Sequence, residues 1–314
     1  MELDQLRALA AVVDFETFEA AAGELRLTPS AVSQRIKALE RSVGSVLVRR
    51  LKPVRPTPAG ERLLRSARQL LLLADEAVLA LRSPEAANDD GAAHLSAAHR
   101  GVERLRVPIV ANADSIATWL PPALREIALG GRIALELLRD DEHATADLLR
   151  SGDAVAAVTA DPAPVQGCSV RPLGTMVYRA KASREFVERW FPDGPTPESL
   201  AAAPVMQYDR KDSHQMALLA RVAPHAAPPQ HFIPDSVQYV ESVHAGLGWG
   251  MVPDQQDPDG SLVLLDPDWV EPLRLYWQVW TLDSPGLAEV TAAVVRAARV
   301  LAARGSQPMG SRAE

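Results

Sequence analysis

The sequence predicts a multidomain chain with three parts in succession: a small helical N-terminal domain, one long helix, and a larger α/β domain of two lobes. Two short helical segments joined by a tight turn occupy residues 17–41. An apolar seam with helical spacing then continues over residues 58–82. Strand-like and helix-like segments alternate over residues 104–304, which is typical of α/β folds. A chain of 314 residues is long enough for two or three domains.

The N-terminal segments carry the start signals of helices. Thr17 is a candidate N-cap for the first of the pair. Thr28 followed by Pro29 is a common start for the second, because proline fits the first helical position. A further helix over residues 3–14 has an apolar face that can support both.

The second helix of the pair separates two faces. Its apolar side chains repeat at helical spacing and are Val32, Ile36, Leu39 and Val43. The opposite face contains hydrogen-bond donors and no acidic residue, and its members are Ser30, Ser33, Gln34, Lys37 and Arg41. Such donors, with Thr28 at the helix start, can reach base edges and phosphates in a DNA major groove. A helix-turn-helix is therefore predicted, with a solvated surface helix as the alternative for an isolated segment.

A β-prone segment follows this helix and carries four cations within seven residues, with no acidic residue among them. These cations are Arg49, Arg50, Lys52 and Arg55. We expect a wing with its tip near Lys52, whose cations contact DNA phosphates. A solvated loop is the alternative.

The charge distribution favours a DNA-binding head. The net charge of the chain is −7, but residues 29–68 contain ten Lys or Arg and only two Asp or Glu. Residues 1–82 have a net charge of +3, and the remainder has a net charge of −10. A basic head on an acidic body is typical of a DNA-binding domain attached to a domain that does not bind DNA.

The helix over residues 58–82 carries a heptad-like seam, which predicts that two copies pack along their length. The seam consists of Leu64, Ala67, Leu71, Ala74, Val78 and Leu81. The alternative is that this helix docks on its own chain. Residues 83–103 are polar and rich in small side chains, so they are interpreted as a hinge. Residues 305–314 are expected to be a disordered tail.

The remaining 104–304 segment predicts parallel sheets with helices on both faces. The expected strands cover residues 105–111, 133–138, 154–159, 170–173, 176–182, 205–207, 231–234, 248–252, 262–264 and 274–280. The expected helices cover residues 115–128, 142–150, 184–190, 213–223, 236–245 and 287–303. One lobe is expected to contain residues 104–175 and 265–304, and the other residues 176–264.

Several classes of protein are excluded by what the sequence lacks. It has no apolar run long enough for a membrane span and no signal peptide, which predicts a cytoplasmic protein without membrane contact. Cys168 is the single cysteine, and the seven histidines show no metal-ligand spacing, so no metal or other cofactor is expected. The glycines of residues 246–250 follow a helix and enter a strand, the reverse of a dinucleotide-binding loop. No catalytic motif is present, and the chain is not expected to be an enzyme.

Taken together, the chain resembles the LysR-type transcriptional regulators over essentially its whole length. The resemblance is carried by LTPSAVSQRIKALERSVG at residues 27–44, PTPAGERLLRSA at residues 56–67 and GLGWGMVP at residues 246–253. It departs from the family at residues 16–18, where ETF replaces the usual Gly-Ser-Phe. The resemblance implies a winged helix-turn-helix, a linker helix and a two-lobed effector domain of the type II periplasmic-binding-protein kind. It further implies double-stranded operator DNA and RNA polymerase as partners, and tetramers built as dimers of dimers.

Within that family the chain is most similar to the lysine- and arginine-responsive regulators of amino-acid exporters, the LysG and ArgP types. The segments that suggest this are residues 110–124, 140–168, 172–183 and 208–212. Lysine or arginine is therefore the expected effector, and its binding is expected to rotate one lobe against the other. The alternatives are a regulator of another pathway with a carboxylate effector that is not an amino acid, and a solute-binding protein without a DNA role.

Ligands of such α/β domains bind where strands end and helices begin. A basic amino acid also needs carboxylates for its cationic groups, because buried charges are tolerated only in pairs. The polar residues at these junctions are the expected effector contacts: Asn112, Asp114, Ser115, Thr159, Asp161, Tyr208, Asp209, Asp212, Asp235 and Ser236. Only two or three of the carboxylates are expected to touch the ligand, because the others have the positions of helix caps or turns.

Overall fold

The computed structural model describes residues 1–82, 104–140 and 145–303. The predicted hinge at residues 83–103 and the predicted tail at residues 305–314 lie outside these ranges, as does the start of the helix predicted at residue 142. No helix in the described ranges is long and apolar enough to cross a membrane.

The head contains three helices and a two-stranded wing, as predicted. The elements are α1 (Leu3–Asp14), α2 (Phe18–Glu24), α3 (Pro29–Val43), β1 (Val48–Arg49) and β2 (Arg55–Pro56). The Thr17 hydroxyl accepts a hydrogen bond from the Ala20 amide at 3.0 Å, and Thr28 does the same for Ala31 at 3.2 Å. Both predicted N-caps are therefore confirmed.

The apolar stripe of α3 is confirmed at three of its four positions. Val32, Ile36 and Leu39 are fully buried in the head core. Val43, the last residue of α3, is 38% exposed.

The unusual Glu16 has a left-handed backbone with a φ of 59°. Glycine adopts this conformation without strain, which explains why the family usually has glycine there. The Glu16 carbonyl accepts the Val54 amide at 2.7 Å, and its carboxylate pairs with Arg55 at 2.5 Å. The turn before α2 is thereby joined to the wing.

The long helix α4 (Pro58–Arg82) has the predicted bounds. The first half of its apolar seam, however, packs against its own chain. Leu64, Ala67 and Leu71 are buried in the head of their own chain, where α1 packs along α4. The prediction that they contact a second copy is therefore wrong, because the small head does cover the first half of the seam. Val78 and Leu81 remain 42% and 81% exposed.

The effector domain is built on a seven-stranded mixed sheet. Its strands lie in the order β10-β6-β11-β5-β3-β4, and β9 also pairs with β6. The bounds are β3 (Leu105–Ala111), β4 (Ile133–Arg139), β5 (Ala156–Thr159), β6 (Cys168–Ala182), β9 (Gly250–Pro253), β10 (Val263–Leu264) and β11 (Val270–Trp280). Only β3, β4 and β5 are parallel to one another, so the prediction of wholly parallel sheets is wrong.

A second, smaller sheet and the surrounding helices complete two lobes. The sheet pairs β7 (Val205–Gln207) with β8 (Gln230–Phe232) in parallel. The helices are α5 (Ala113–Ala117), α6 (Pro121–Leu129), α7 (Thr145–Ser151), α8 (Arg184–Trp190), α9 (Pro197–Ala202), α10 (His214–Val222), α11 (Ser236–His244), α12 (Pro285–Ala297) and α13 (Arg299–Ala303). The paired strands β6 and β11 run from one lobe into the other.

Four predicted elements are joined or divided differently in the structure. The strands predicted at residues 170–173 and 176–182 are one strand, β6, whose pairing with β11 shifts between Leu275 and Tyr276. The helix predicted at residues 115–128 is two helices, because Pro121 lacks the amide hydrogen that a continuous helix requires. The helix predicted at residues 287–303 is also divided, between Ala297 and Arg299.

A buried ion cluster fixes the turn that follows β9. Lys181 in β6 lies 3.0 Å from Asp257 and 3.4 Å from Asp254, and Arg179 lies 3.1 Å from Asp254. Burial alone raises the pKa of the Asp257 carboxyl, but the hydrogen bond and charge of Lys181 outweigh it and hold that pKa below its usual value.

Replacing Lys181 by methionine removes the buried cation that faces Asp257. We expect the free energy of unfolding to fall by about 3–5 kcal/mol, because a charge is left buried without its partner. Urea denaturation followed by tryptophan fluorescence measures this. The exposed Lys211→Met in the same lobe is the control, with an expected change below about 0.5 kcal/mol. Equal losses in both variants would contradict the role of the cluster.

The same pair makes stability depend on pH. The folded-state pKa of Asp257 is lowered, so its stabilisation is present above the unfolded pKa of about 4 and is lost as the pH falls through the folded pKa. The wild-type protein should therefore lose stability below about pH 4 more steeply than Lys181→Met.

Candidate DNA-reading surface and effector cavity

The polar face of α3 is open to solvent. Gln34, Lys37 and Arg41 are exposed, and Ser33 is half-buried beside the wing. At the helix start the hydroxyls of Thr28 and Ser30 lie 3.2 Å apart. The predicted base-reading side chains therefore share one accessible face, opposite the head core.

The four wing cations differ in their surroundings. Arg49 and Lys52 are exposed. Arg50 donates to the Ser33 hydroxyl at 3.3 Å, lies 3.8 Å from Glu40 and stacks over the Phe18 ring at 5.4 Å. Arg50 thus ties the wing to α3.

Arg55 is the least available of the wing cations for phosphate. Its guanidinium pairs with Glu16, and both side chains are about half exposed. A solvent-exposed pair of this kind is weak, so a phosphate can compete for Arg55, but Glu16 offsets its charge in the free head.

A cavity of about 290 Å³ lies between the two lobes, where β3, β4 and β7 end. This is the position that the strand-end rule predicts. Six of the ten expected effector residues line it: Asn112, Asp114, Tyr208, Asp209, Asp212 and Ser236.

The other four expected residues have structural roles outside the cavity wall. The buried Ser115 hydroxyl accepts the Trp119 indole at 3.0 Å. Thr159 and Asp161 form a turn in which the Thr159 hydroxyl accepts the Asp161 amide at 3.1 Å. Asp235 caps α11 by accepting the Val237 and Gln238 amides. Each of these side-chain oxygens accepts a hydrogen bond from a local backbone or core donor.

The sequence did not predict eight of the fourteen polar residues that line the cavity. The unpredicted lining residues with polar side chains are Arg139, Asp140, Tyr178, Lys211, His214, Gln215, Tyr239 and Gln256. Arg139 ends β4, the neighbour of β3, and Asp140 follows it, so both were predictable from their position at a strand end. Tyr178 and Tyr239 lie within a strand and a helix, where only the tertiary fold turns them toward the cavity.

Asp114 connects the two lobes across this cavity. One carboxylate oxygen accepts the Tyr178 hydroxyl at 2.6 Å. The other accepts the hydroxyl of Ser236, at the start of α11 in the second lobe. The glutamine amide of Gln256 in turn donates to Ser236 at 3.0 Å. A ligand that binds Asp114 therefore acts on contacts between the lobes.

Asp209 and Asp212 shape the loop after β7. One Asp209 oxygen accepts the Lys211 and Asp212 amides at 2.7 and 2.9 Å. Asp212 accepts the Tyr208 amide with one oxygen and the His214 amide with the other, at 3.0 and 3.1 Å. The carboxylates are thus fixed at the cavity wall by backbone donors.

The cavity wall carries more negative than positive charge. Four carboxylates, Asp114, Asp140, Asp209 and Asp212, face two permanent cations, Arg139 and Lys211. The wall therefore favours a ligand with a net positive charge, since buried charges need partners.

Uncharged polar side chains also line the wall, and several of them form hydrogen bonds or ring contacts with one another. Burial raises the pKa of the Tyr208 and Tyr239 hydroxyls above their usual range, so both remain protonated donors. Gln215, which is 1% exposed, donates to the Tyr239 hydroxyl at 2.6 Å. The rings of Tyr178 and His214 stack with centroids 5.1 Å apart.

Within the described part of the chain, no group of three or more His, Cys, Asp or Glu side chains has the arrangement of a metal site. Cys168 is a free thiol whose pKa is raised by burial, with Arg65 opposing that rise.

Comparisons with known proteins agree with the DNA-binding head and with the two-lobed effector domain. Residues 3–61 match the family described as "Bacterial regulatory helix-turn-helix protein, lysR family", and residues 100–300 match the "LysR substrate binding domain". The chain is similar to the "HTH-type transcriptional regulator LysG" of Mycobacterium tuberculosis H37Rv, with 42% identity over 308 residues, 96% of this chain and 95% of the relative. It is 38% identical to the "Lysine export transcriptional regulatory protein LysG" of Corynebacterium glutamicum over 300 residues, 94% of this chain and 97% of the relative.

Solved structures give the same result for the fold. The crystal structure of ArgP from M. tuberculosis has a TM-score of 0.77 at 42% identity and covers 95% of this chain and 97% of its own. Full-length LysG from C. glutamicum "with bound effector Arg" has a TM-score of 0.71 at 37% identity, with coverage of 96% and 99%. The chain therefore belongs to the LysR family of bacterial transcriptional regulators.

Proposed function

We propose that this regulator reads operator DNA with α3 and its wing, and that lysine or arginine in the cavity between the lobes controls it. The observation that carries the effector assignment is the cavity wall, with four carboxylates against two cations. The relative from C. glutamicum whose structure is titled with bound effector Arg supports the same class of ligand.

The wall offers a complementary partner for each charged group of a basic amino acid. We assign the ligand carboxylate to Arg139 at the end of β4, since arginine pairs with carboxylates in bidentate geometry. The two ligand cations are assigned to the acidic side chains on the two sides of the cleft, Asp114 and Asp140 on one and Asp209 and Asp212 on the other. A ligand that contacts both sides holds the lobes together.

On the DNA side, the proposal separates base reading from phosphate contact. Ser30, Ser33, Gln34, Lys37 and Arg41 are assigned to the major groove, with Thr28 at its edge. Arg49, Arg50, Lys52 and Arg55 are assigned to phosphates. This division follows the open polar face of α3 and the position of the wing beside it.

The regulator is proposed to act as a dimer of dimers in the cytoplasm, with RNA polymerase as a further partner. The proposed dimer contact is the exposed apolar surface from the middle of α4 to its C-terminal end, formed by Leu70, Ala77, Val78 and Leu81 with the half-buried Ala74. The printed name of the C. glutamicum relative, a lysine export regulator, supports an amino-acid exporter gene as the target.

The effector assignment is tested by titration calorimetry with arginine, lysine and citrulline. Citrulline has nearly the shape of arginine but no side-chain charge, so arginine and lysine should bind and citrulline should bind at least tenfold more weakly, about 1.4 kcal/mol. Equal binding of citrulline and arginine would contradict the role of the carboxylates.

Two cavity variants refine that test. Asp209→Asn and Arg139→Met should each weaken arginine binding by at least tenfold, about 1.4 kcal/mol, because each removes one charge partner. Asp161→Asn is the matched control, since Asp161 lies outside the cavity, and should bind arginine like the wild-type protein. Unchanged affinity in both cavity variants would remove this site as the effector site.

The DNA assignment predicts different losses for base-reading and phosphate residues. Gln34→Ala should lose about 1–3 kcal/mol on the operator and relax sequence preference at one or two base pairs. Arg49→Ala should weaken binding to all sequences and reduce the slope of log K against log salt by about one. Arg171→Ala, an exposed arginine of the effector domain, is the control. An unaltered footprint with Gln34→Ala, or an unaltered slope with Arg49→Ala, would overturn the respective role.

A further inference from the structure

Glu16 occupies a strained position directly before α2. Its backbone is left-handed, with a φ of 59°, a conformation that costs free energy for a residue with a Cβ atom. Its side chain places a negative charge beside a wing that carries four cations. Glycine at this position would remove both the strain and the charge.

Two contacts hold Glu16 against the second strand of the wing. Its carbonyl oxygen accepts the amide of Val54, which is 3% exposed and belongs to the head core. Its carboxylate pairs with the guanidinium of Arg55, the next residue, at 2.5 Å. Most surface ion pairs lose stability because two long side chains must be held in one geometry. Here the backbone hydrogen bond already places the carboxylate beside its partner, so less freedom is lost.

The wing brings two of its arginines close together. Arg55 in β2 lies directly opposite Arg49 in β1 of the antiparallel pair. Like charges at opposite positions repel one another, so the free wing is stabilised when a carboxylate pairs with one of them. Glu16 supplies that carboxylate, and the pair lowers the positive charge that the wing presents to a phosphate.

The ion pair of Arg55 is open to an external anion, unlike the pair of Arg50. Glu40, the partner of Arg50, is only 16% exposed, and it also accepts the Leu47 amide at 3.0 Å. The side chains of Arg55 and Glu16 are 59% and 47% exposed. A phosphate can therefore reach Arg55 from solvent and displace the carboxylate.

We propose that Glu16 is an intramolecular competitor of DNA phosphate for Arg55. In the free head Arg55 pairs with Glu16. On DNA a phosphate takes the guanidinium, and the carboxylate, left without its partner, takes up a cation from the solution. Each head that binds DNA therefore releases about one counterion fewer than its wing cations alone would release.

This competition acts on the affinity for every sequence, because phosphates occur in every duplex and carry no base information. It lowers the affinity for operator and for other DNA by the same factor. The proposal rests on the proposed function, in which Arg55 contacts phosphate.

The competition is tested by fluorescence anisotropy with the full-length protein and a duplex of random sequence, over a range of KCl concentrations. Glu16→Gln keeps the shape of the side chain and removes its charge. For each head in contact, it should steepen the slope of log K against log salt by about 0.9 and tighten binding about eightfold at about 0.1 M salt. Glu24→Gln, the same change at the exposed far end of α2, is the control and should behave like the wild-type protein. A wild-type slope in Glu16→Gln would overturn the proposal.

Glu16→Gly removes the charge and the backbone strain together. It should give the same steeper slope as Glu16→Gln, so the test remains valid if glutamine disturbs the turn. A carboxylate that only stabilised the wing would give the opposite result, since both variants would then bind DNA more weakly than the wild-type protein.

Arg55 identifies the contact on which Glu16 acts. In an Arg55→Gln background, Glu16→Gln should give little further gain in affinity, because no guanidinium remains for the two anions to share. An equal gain with and without Arg55 would show that Glu16 acts only through the net charge of the head, and would contradict the competition.

Operator DNA separates failure of this proposal from failure of the proposed function. Glu16→Gln should raise the affinity for operator and random duplexes by the same factor. A wild-type protein that binds neither duplex would contradict the DNA-reading role itself. A wild-type protein that binds both, with unchanged affinity in Glu16→Gln, would contradict only the competition at Arg55.

Discussion

The position of α4 between two other parts of the molecule is the constraint on which the rest of the structure depends. One face of this helix completes the core of the head through Leu64, Ala67 and Leu71. The adjacent face docks on the first lobe through Arg68, Leu72 and Glu76. Through these two contacts α4 packs on the head and on the first lobe of its own chain. The apolar side chains of α4 that remain exposed run from Leu70 to its C-terminal end.

The effector cavity follows from a different constraint, the need of buried charges for partners. Three of the four carboxylates at the wall are fixed by nearby donors: Asp114 by two hydroxyls, and Asp209 and Asp212 by backbone amides. Hydroxyl and amide donors satisfy the oxygens of a carboxylate, but its negative charge still needs a cation for compensation. A cationic ligand supplies that compensation, and Arg139 can compensate its carboxylate in the same cavity.

The sequence predicted those features best whose physical cause lies within a few neighbouring residues. The caps of α2 and α3 depend on one hydroxyl and amides three residues later, so Thr17 and Thr28 were identifiable. The strand-end rule found six cavity residues but also selected Ser115 and Asp161, because a capping or turn residue has the same sequence pattern as a ligand contact. Tyr178, Tyr239 and Gln215 were not predictable, since only the packing of the lobes places them at one cavity. The seam of α4 was wrongly assigned to a second copy over its first half. Burial by the chain's own head and burial by a second copy require the same apolar spacing, so the sequence does not distinguish them.

The central claim is that one molecule couples a cation-binding cavity to a DNA-reading head, and thermodynamic linkage tests it most directly. If arginine changes the affinity for operator DNA by some factor, operator DNA must change the affinity for arginine by the same factor. Both affinities are measurable with one preparation, by titrating DNA with and without arginine and by titrating arginine with and without DNA. We expect arginine to change the affinity for operator DNA, and operator DNA to change the affinity for arginine, by one and the same factor that differs from one. An affinity for arginine that is the same with and without operator DNA would contradict it.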